Sequence, residues 1–153
     1  PRDVVIGIAA SGTTPFVLGV LSASKKIGAF TALLCFNPNR KPDPNPQNEP
    51  DIVLAIPTGP EILTGSTRLK SGTATKLILN MITTISMVQT GKVISNLMVN
   101  VQASNDKLRD RAIRILSQLT GWSRRGAQDA LEQNQWNIRK AMVQKNTPQQ
   151  PLP

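Results

Sequence analysis

Two short polar stretches of this 153-residue chain carry side chains suited to holding an anion. The first is Ser11-Gly12-Thr13-Thr14, which follows the apolar run "DVVIGIAA" directly and precedes Pro15. Three hydroxyls surround a glycine just where a helix is expected to begin. Backbone amides in the first turn of a helix lack intrahelical partners, and the helix dipole favours negative charge there. Plain capping by Ser11 or Thr14 is the competing reading, but a cap uses one hydroxyl. The surplus favours an anion site. The stretch lacks the G-x-x-x-x-G-K-[ST] and G-x-G-x-x-G spacings of nucleotide loops. A phosphate without a nucleotide, such as a sugar phosphate, fits it better.

The second stretch, "GPEILTGSTRLKSGTATK", offers Glu61, Thr64, Ser66, Thr67, Arg68, Lys70, Ser71 and Thr73. Ser66 and Thr67 could bind sugar hydroxyls or phosphate, and Lys70 could add positive charge. Glu61 is the one carboxylate of this stretch, able to accept from a sugar hydroxyl or to move a proton. The alternative is an ordinary helix start, with Thr64 or Ser66 as cap and Arg68 and Lys70 solvated.

Other chemistries are poorly provided for. There is no histidine and a single cysteine, Cys35, in the apolar segment "TALLCFN". A zinc site and a histidine base are therefore close to excluded, no metal or cofactor is expected, and Cys35 reads as an inert buried thiol in a reducing, cytoplasmic setting. No apolar run is long enough to span a membrane, and the N-terminal residues lack a signal-peptide pattern. The net charge of +9 invites a nucleic-acid reading, but the basic residues are scattered and aromatics make up 3%. Neither nucleic acid nor a membrane is expected as a partner.

The elements that must position these loops follow from the apolar pattern. "DVVIGIAA", "AFTALLCF" and "DIVLAI" are nearly unbroken apolar runs, as in strands buried on both faces of a parallel sheet. "PFVLGVLSASKKIG" opens with proline and closes with glycine, as a helix does. "NPNRKPDPNPQNEP" reads as a loop from its prolines and asparagines. Strand, helix, strand, loop, strand makes the class α/β, with right-handed crossovers. Downstream, Leu77, Ile78, Met81, Ile82, Ile85 and Val88 share one face of a long helix that Gly91 can stop. An amphipathic helix over 105–119, capped by Asn105 or Ser104, and two short helices capped by Ser123 and Asn134 complete the chain. Trp122 and Trp136 are expected in their core. Three strands are too few for a doubly wound sheet, so another segment or a partner chain must supply the rest. In parallel α/β sheets ligands bind beyond the carboxyl ends of the strands, where both polar stretches fall.

The segments "GIAASGTTPFVLGVL", "CFNP", "GPEILTGSTRLKSGTATKLILNMITT" and "GKVISNLMVNVQASNDKLRDRA" resemble the N-acetylmuramic acid 6-phosphate etherases. That family lies in the sugar isomerase (SIS) domain superfamily and is related to glucokinase regulatory proteins. The resemblance runs from Val4 to about Met142, and "GWSRRGAQDALEQNQWNIRKAM" is similar to the family's small ubiquitin-associated-like helical module.

The resemblance implies a flavodoxin-like α/β/α SIS domain used as a cytoplasmic homodimer. Its C-terminal portion would occupy 1–103, the helical module 104–146 and a disordered tail 147–153. The implied activity is a carbon–oxygen lyase of amino sugar catabolism and cell-wall recycling. It converts N-acetylmuramic acid 6-phosphate to N-acetylglucosamine 6-phosphate and D-lactate, without a metal. One carboxylate removes the C2 proton of the ring-opened sugar, another protonates the departing lactate, and water adds back. The family's two catalytic glutamates lie in an upstream part of the domain that does not match here. The chain alone is accordingly expected to be inactive. Ser11, Gly12, Thr13, Thr14, Glu61, Ser66, Thr67 and Lys70 would bind the sugar phosphate. Thr13 stands where the family usually has arginine, Phe16 where tyrosine is common, Asn100 for aspartate and Ser71 for alanine. A non-catalytic, regulatory sugar-phosphate-binding SIS module is the alternative.

Overall fold

The computed structural model describes residues 3–143, so the expected tail at 147–153 lies outside the described residues. The described residues fall into two compact units, divided between Met81 and Ile82.

The first unit is a parallel sheet of three strands, β1 (Val4–Ile8), β2 (Phe30–Cys35) and β3 (Ile52–Ala55), in the order β1-β2-β3. The expected α/β class is thereby observed. Helix α1 (Pro15–Lys26) connects β1 to β2. It begins at proline, whose missing N–H costs nothing at that position, and Gly28 takes φ 88° just past its end. Leu21 of α1 is buried against Ala9 and Leu33, with Val5, Val17, Leu18 and Val53 around them. Gly7 is required here, because a Cβ would lie 2.7 Å from Leu21 and Val17 side-chain atoms.

The middle of the sheet is tied by a reciprocal polar pair. The Thr31 amide and hydroxyl both donate to Asp51 Oδ2 at 2.8 Å, and the Asp51 amide returns a bond to Thr31 Oγ1 at 3.1 Å. Lys25 at the end of α1 adds an ion pair to Asp51 at 3.2 Å. Thr31 is fully buried, so this pairing satisfies a polar side chain that the sheet could not otherwise hold.

Helix α2 (Lys70–Gln89) follows a long polar connection and stops before Gly91, which adopts φ 71°. Its expected apolar face divides in two. Ile78 and Ile82 are half-buried, whereas Leu77, Met81, Ile85 and Val88, at steps of four, four and three residues, form a row that stays about half exposed.

The second unit contains a two-residue-per-strand hairpin, β4 (Val93–Ile94) and β5 (Leu97–Met98), that the sequence pattern did not predict. Its Ser95 takes φ 54°, a turn conformation that a glycine would have advertised. Helices α3 (Asp106–Thr120), α4 (Arg124–Gln133) and α5 (Ile138–Val143) follow. Asn105 caps α3 through the Leu108 amide and Ser123 caps α4 through the Gly126 amide, as expected. For α5 the cap is Asn137, which accepts from the Lys140 amide, and not Asn134, whose own amide closes α4 on the Leu131 carbonyl. The core is Leu116, Leu131, Ile138, Ile113 and the alanines between them, with Trp122 and Trp136 packed on it. The Arg109 guanidinium covers the Trp136 ring at 5.2 Å. Among the described residues no helix is long and apolar enough to cross a membrane.

Because Leu131 is fully buried, Leu131→Ala should cost about 2–5 kcal/mol through lost contacts and the cavity left behind. Both tryptophans lie in this unit, so denaturant unfolding followed by their fluorescence measures the effect directly. A loss below about 1 kcal/mol would show that the helices do not depend on this core.

Candidate functional site: two hydroxyl loops at helix beginnings

The first loop leaves the end of β1 and turns back through Gly12. The Gly12 amide donates to the Ala9 carbonyl at 2.9 Å, and its φ of 74° is in the left-handed region that favours glycine. A Cβ there would also lie 2.8 Å from Arg40 Cδ and 3.2 Å from Cys35. Gly12 therefore serves both a turn and a close approach.

Neither Ser11 nor Thr14 caps α1. Ser11 Oγ instead accepts from the Thr13 hydroxyl at 2.9 Å and the Thr13 amide at 3.3 Å, closing a local turn. Thr14 occupies the cap position but its side chain makes no cap hydrogen bond. Plain capping thus fails to account for the hydroxyls. Ser11, Thr13 and Thr14 are exposed at a helix beginning whose first amides have no partner within the helix.

The side chain that fixes this loop is Arg40, from the proline-rich segment between β2 and β3. Its Nε donates to the Gly12 carbonyl at 3.0 Å, while Nη1 and Nη2 grip both oxygens of Glu49 at 2.5 and 3.0 Å. The Arg40 side chain is only 5% exposed, so the pair lies largely out of water. Glu49 also accepts from the Asp43 amide at 2.8 Å. Hydrogen bonding to the Arg40 guanidinium holds the Glu49 carboxyl below its ordinary value, against the opposing effect of burial. Asn37 adds a donor to the Ser11 carbonyl at 3.4 Å.

Sequence reading missed Arg40, Asn37 and Glu49 because it treated residues 37–50 as featureless loop. The segment forms no helix or strand, yet it is ordered. Asn37, Asp43 and Asn45 each accept from the amide two residues on, at 2.8 to 3.0 Å, making a succession of side-chain turns. An arginine followed nine residues later by glutamate, among such turn formers, was the available signal.

The second loop is organised by Glu61. Its two oxygens accept from the Lys70 amide at 2.9 Å and the Ser71 amide at 3.0 Å, so this carboxylate caps α2. Thr64 and Ser66, the caps of the alternative helix-start reading, do not. The Ser71 amide, and then the Lys70 amide, keep the Glu61 carboxyl below its usual value. It is thereby suited to accept hydrogen bonds and poorly suited to carry a proton near neutral pH. Ser66 is half-buried in a turn closed by its amide on the Leu63 carbonyl at 3.0 Å, and Thr67 and Lys70 are exposed. An open depression of 640 Å³ lies along Thr58, Arg68, Leu69, Lys70 and Thr73, at the start of α2.

The predicted residues are thus gathered in two sets: Ser11, Gly12, Thr13 and Thr14 around the Arg40 anchor, and Glu61, Ser66, Thr67 and Lys70 at the start of α2. Among the described residues no hydrogen bond or ion pair links the first set to the second.

Comparison with known proteins gives this arrangement a context. Over 143 residues the chain is 50% identical to the N-acetylmuramic acid 6-phosphate etherase of Glaesserella parasuis serovar 5 (strain SH0165), covering 94% of this chain and 46% of that protein. The etherases of Staphylococcus saprophyticus and Rhizobium rhizogenes are each 51% identical, over 93% and 95% of this chain and 47% and 46% of their own lengths. This chain is similar to the N-acetylmuramic acid 6-phosphate etherases. It spans about half the length of those curated relatives, and both loops fall within the region the resemblance covers. Residues 95–150 match a family model described as the C-terminal lid domain of glucokinase regulatory protein. The resemblance to the etherases, and the relationship to glucokinase regulators, read from the sequence are both borne out.

The Arg40–Glu49 pair predicts a specific acid response. A carboxyl whose folded pKa is depressed contributes stability that is complete above its ordinary value and is lost as pH falls through the folded value. The thermal midpoint of the chain should accordingly fall on acidification through that window. Arg40→Gln should lower stability at neutral pH by about 1–3 kcal/mol, since it leaves Glu49 without its charged partner. It should also flatten the acid limb. Midpoints for the two proteins that stay parallel from pH 7 to pH 3 would rule Arg40 out as the cause.

Proposed function

We propose that this chain is the sugar-phosphate-binding portion of an N-acetylmuramic acid 6-phosphate etherase-type lyase. The observation that carries the reading is the near 50% identity to these etherases along almost the whole chain, which takes in both hydroxyl loops. The whole protein would cleave the D-lactyl ether to give N-acetylglucosamine 6-phosphate and D-lactate. It would do so as a cytoplasmic homodimer with an SIS domain up to residue 103 and a ubiquitin-associated-like module at 104–146.

In this reading Ser11, Gly12, Thr13 and Thr14 bind the phosphate. The uncapped beginning of α1 supplies unpartnered amides and a favourable dipole, and Ser11 and Thr14 supply hydroxyl donors. Thr13 contributes no cation where the family usually has arginine, so the loop relies on amides and hydroxyls. Glu61, Ser66 and Thr67 accept from and donate to sugar hydroxyls, and Lys70 adds positive charge at the start of α2. Glu61, kept ionised by two backbone amides, orients the sugar and does not carry a proton between atoms. Proton removal at C2 and protonation of lactate are assigned to carboxylates of the unmatched half.

A second reading, a non-catalytic regulatory module, is favoured by the match of residues 95–150 to the glucokinase regulatory protein lid. Binding is common to both readings and turnover separates them.

The test is calorimetric titration of the purified chain with N-acetylglucosamine 6-phosphate. Ser11→Ala with Thr14→Ala should weaken binding about ten-fold or more, equivalent to about 1.4 kcal/mol. An unchanged affinity would remove the first loop from the site. Incubation with N-acetylmuramic acid 6-phosphate should release no D-lactate, and release would refute the assignment of the reacting carboxylates to the unmatched half.

A further inference from the structure

A cleft of 230 Å³ lies between α1 and the segment that follows β2, lined by Leu18, Gly19, Ser22, Arg40, Asp43 and Asn48. None of these residues belongs to either hydroxyl set. The walls are held by polar contacts: Ser22 Oγ donates to Asn48 Oδ1 at 2.8 Å, and Asp43 Oδ1 accepts from the Asn45 amide at 2.8 Å. Two groups are left over. Asp43 Oδ2 and the Asn48 Nδ2 donors have no hydrogen-bond partner among the described residues, although both side chains belong to half-buried residues. Arg40, the other charged residue of the cleft, is already paired with Glu49. Gly19 leaves the mouth open. It stands inside α1 and outside the left-handed region, and a Cβ there would meet nothing within 4 Å. Neither backbone conformation nor close packing therefore calls for a residue that weakens a helix relative to alanine. What the glycine does provide is room above the cleft.

We propose that this cleft binds an uncharged polyol or a single sugar ring. An acceptor, Asp43 Oδ2, and a donor, Asn48 Nδ2, in one small space suit neighbouring hydroxyls, each of which can both donate and accept. An ammonium group would leave the Asn48 donors unmet. A carboxylate or phosphate would face Asp43, and with Arg40 paired to Glu49 no free cation of the cleft offsets that repulsion. Leu18 supplies an apolar wall on which the C–H face of a ring can shed water. The volume lies below the about 300–1,000 Å³ of sites for drug-sized ligands, which limits the occupant to about one ring. This second site stands whether or not the hydroxyl loops bind a sugar phosphate.

Titration of the full chain with D-glucose, followed through its backbone amide resonances, should shift Gly19, Ser22, Asp43 and Asn48 saturably. Ethylammonium and acetate, each carrying a charge and no hydroxyl pair, should leave those resonances in place. Gly19→Leu should fill the cleft without removing a hydrogen bond, and it replaces a poor helix former. Its thermal midpoint should therefore not fall, while its affinity for glucose drops about ten-fold or more. Asp43→Asn keeps an oxygen for the Asn45 amide but turns the other into a donor, and should weaken glucose binding by a similar factor. Three results would each overturn the proposal. They are shifts that fail to saturate or that fall on the hydroxyl loops instead, an equal response to ethylammonium or acetate, and unchanged glucose affinity in either variant.

Discussion

The arrangement of the first loop depends on one guanidinium. Arg40 makes three connections at once, to the Gly12 carbonyl and to both oxygens of Glu49, from a position almost shielded from water. Charge-assisted bonds of this fork geometry are among the stronger polar contacts in proteins, and they fix direction as well as distance. The connection to Gly12 sets how the strand-to-helix turn is held. The connection to Glu49 anchors the guanidinium to the segment just before β3, so the turn inherits its rigidity from the sheet. Gly12 has no freedom to acquire a side chain, since Arg40 Cδ already fills the space.

The sheet has its own polar restraint in the Thr31–Asp51 exchange, and the two restraints are linked through one chain segment. Glu49 holds Arg40, while two residues later Asp51 holds Thr31 and Lys25. Lys25 also donates to the Glu49 carbonyl at 2.7 Å. The stretch 49–51 therefore fastens the end of α1, the middle strand and the loop anchor together. In the second unit the restraints are of another kind: side-chain caps at each helix start and an aliphatic core under two tryptophans.

Much of this was legible in the sequence, for identifiable reasons. The three strands declared themselves because apolar runs bounded by glycine and proline have few alternatives, and α1 because proline opens it. Ser123 and Asn105 were readable as caps because that interaction spans three residues. The misses share a cause. Glu61 caps a helix that begins nine residues downstream, beyond any local pattern, and Thr64 and Ser66 offered closer candidates. Asn134 and Asn137 are chemically equal, and only the path of the chain assigns each its helix end. Arg40 acts across 28 residues on a carbonyl, a partner that leaves no trace in a side-chain pattern. The two loops were found from their residue types, but their internal wiring was not.

The two helix beginnings differ in one respect with a consequence for what each can receive. At α2 the chain supplies its own negative charge, with Glu61 laid against the first amides. At α1 no carboxylate plays that part, and proline followed by exposed hydroxyls stands at the entrance. An incoming dianion would have to evict an internal rival at α2 but would meet none at α1. On the proposed reading the pair would act as a polarity key, receiving the phosphate end of the sugar phosphate at α1 and its neutral, hydroxyl-bearing end at α2. Orientation of the ligand would then be decided by a residue that never touches its phosphate.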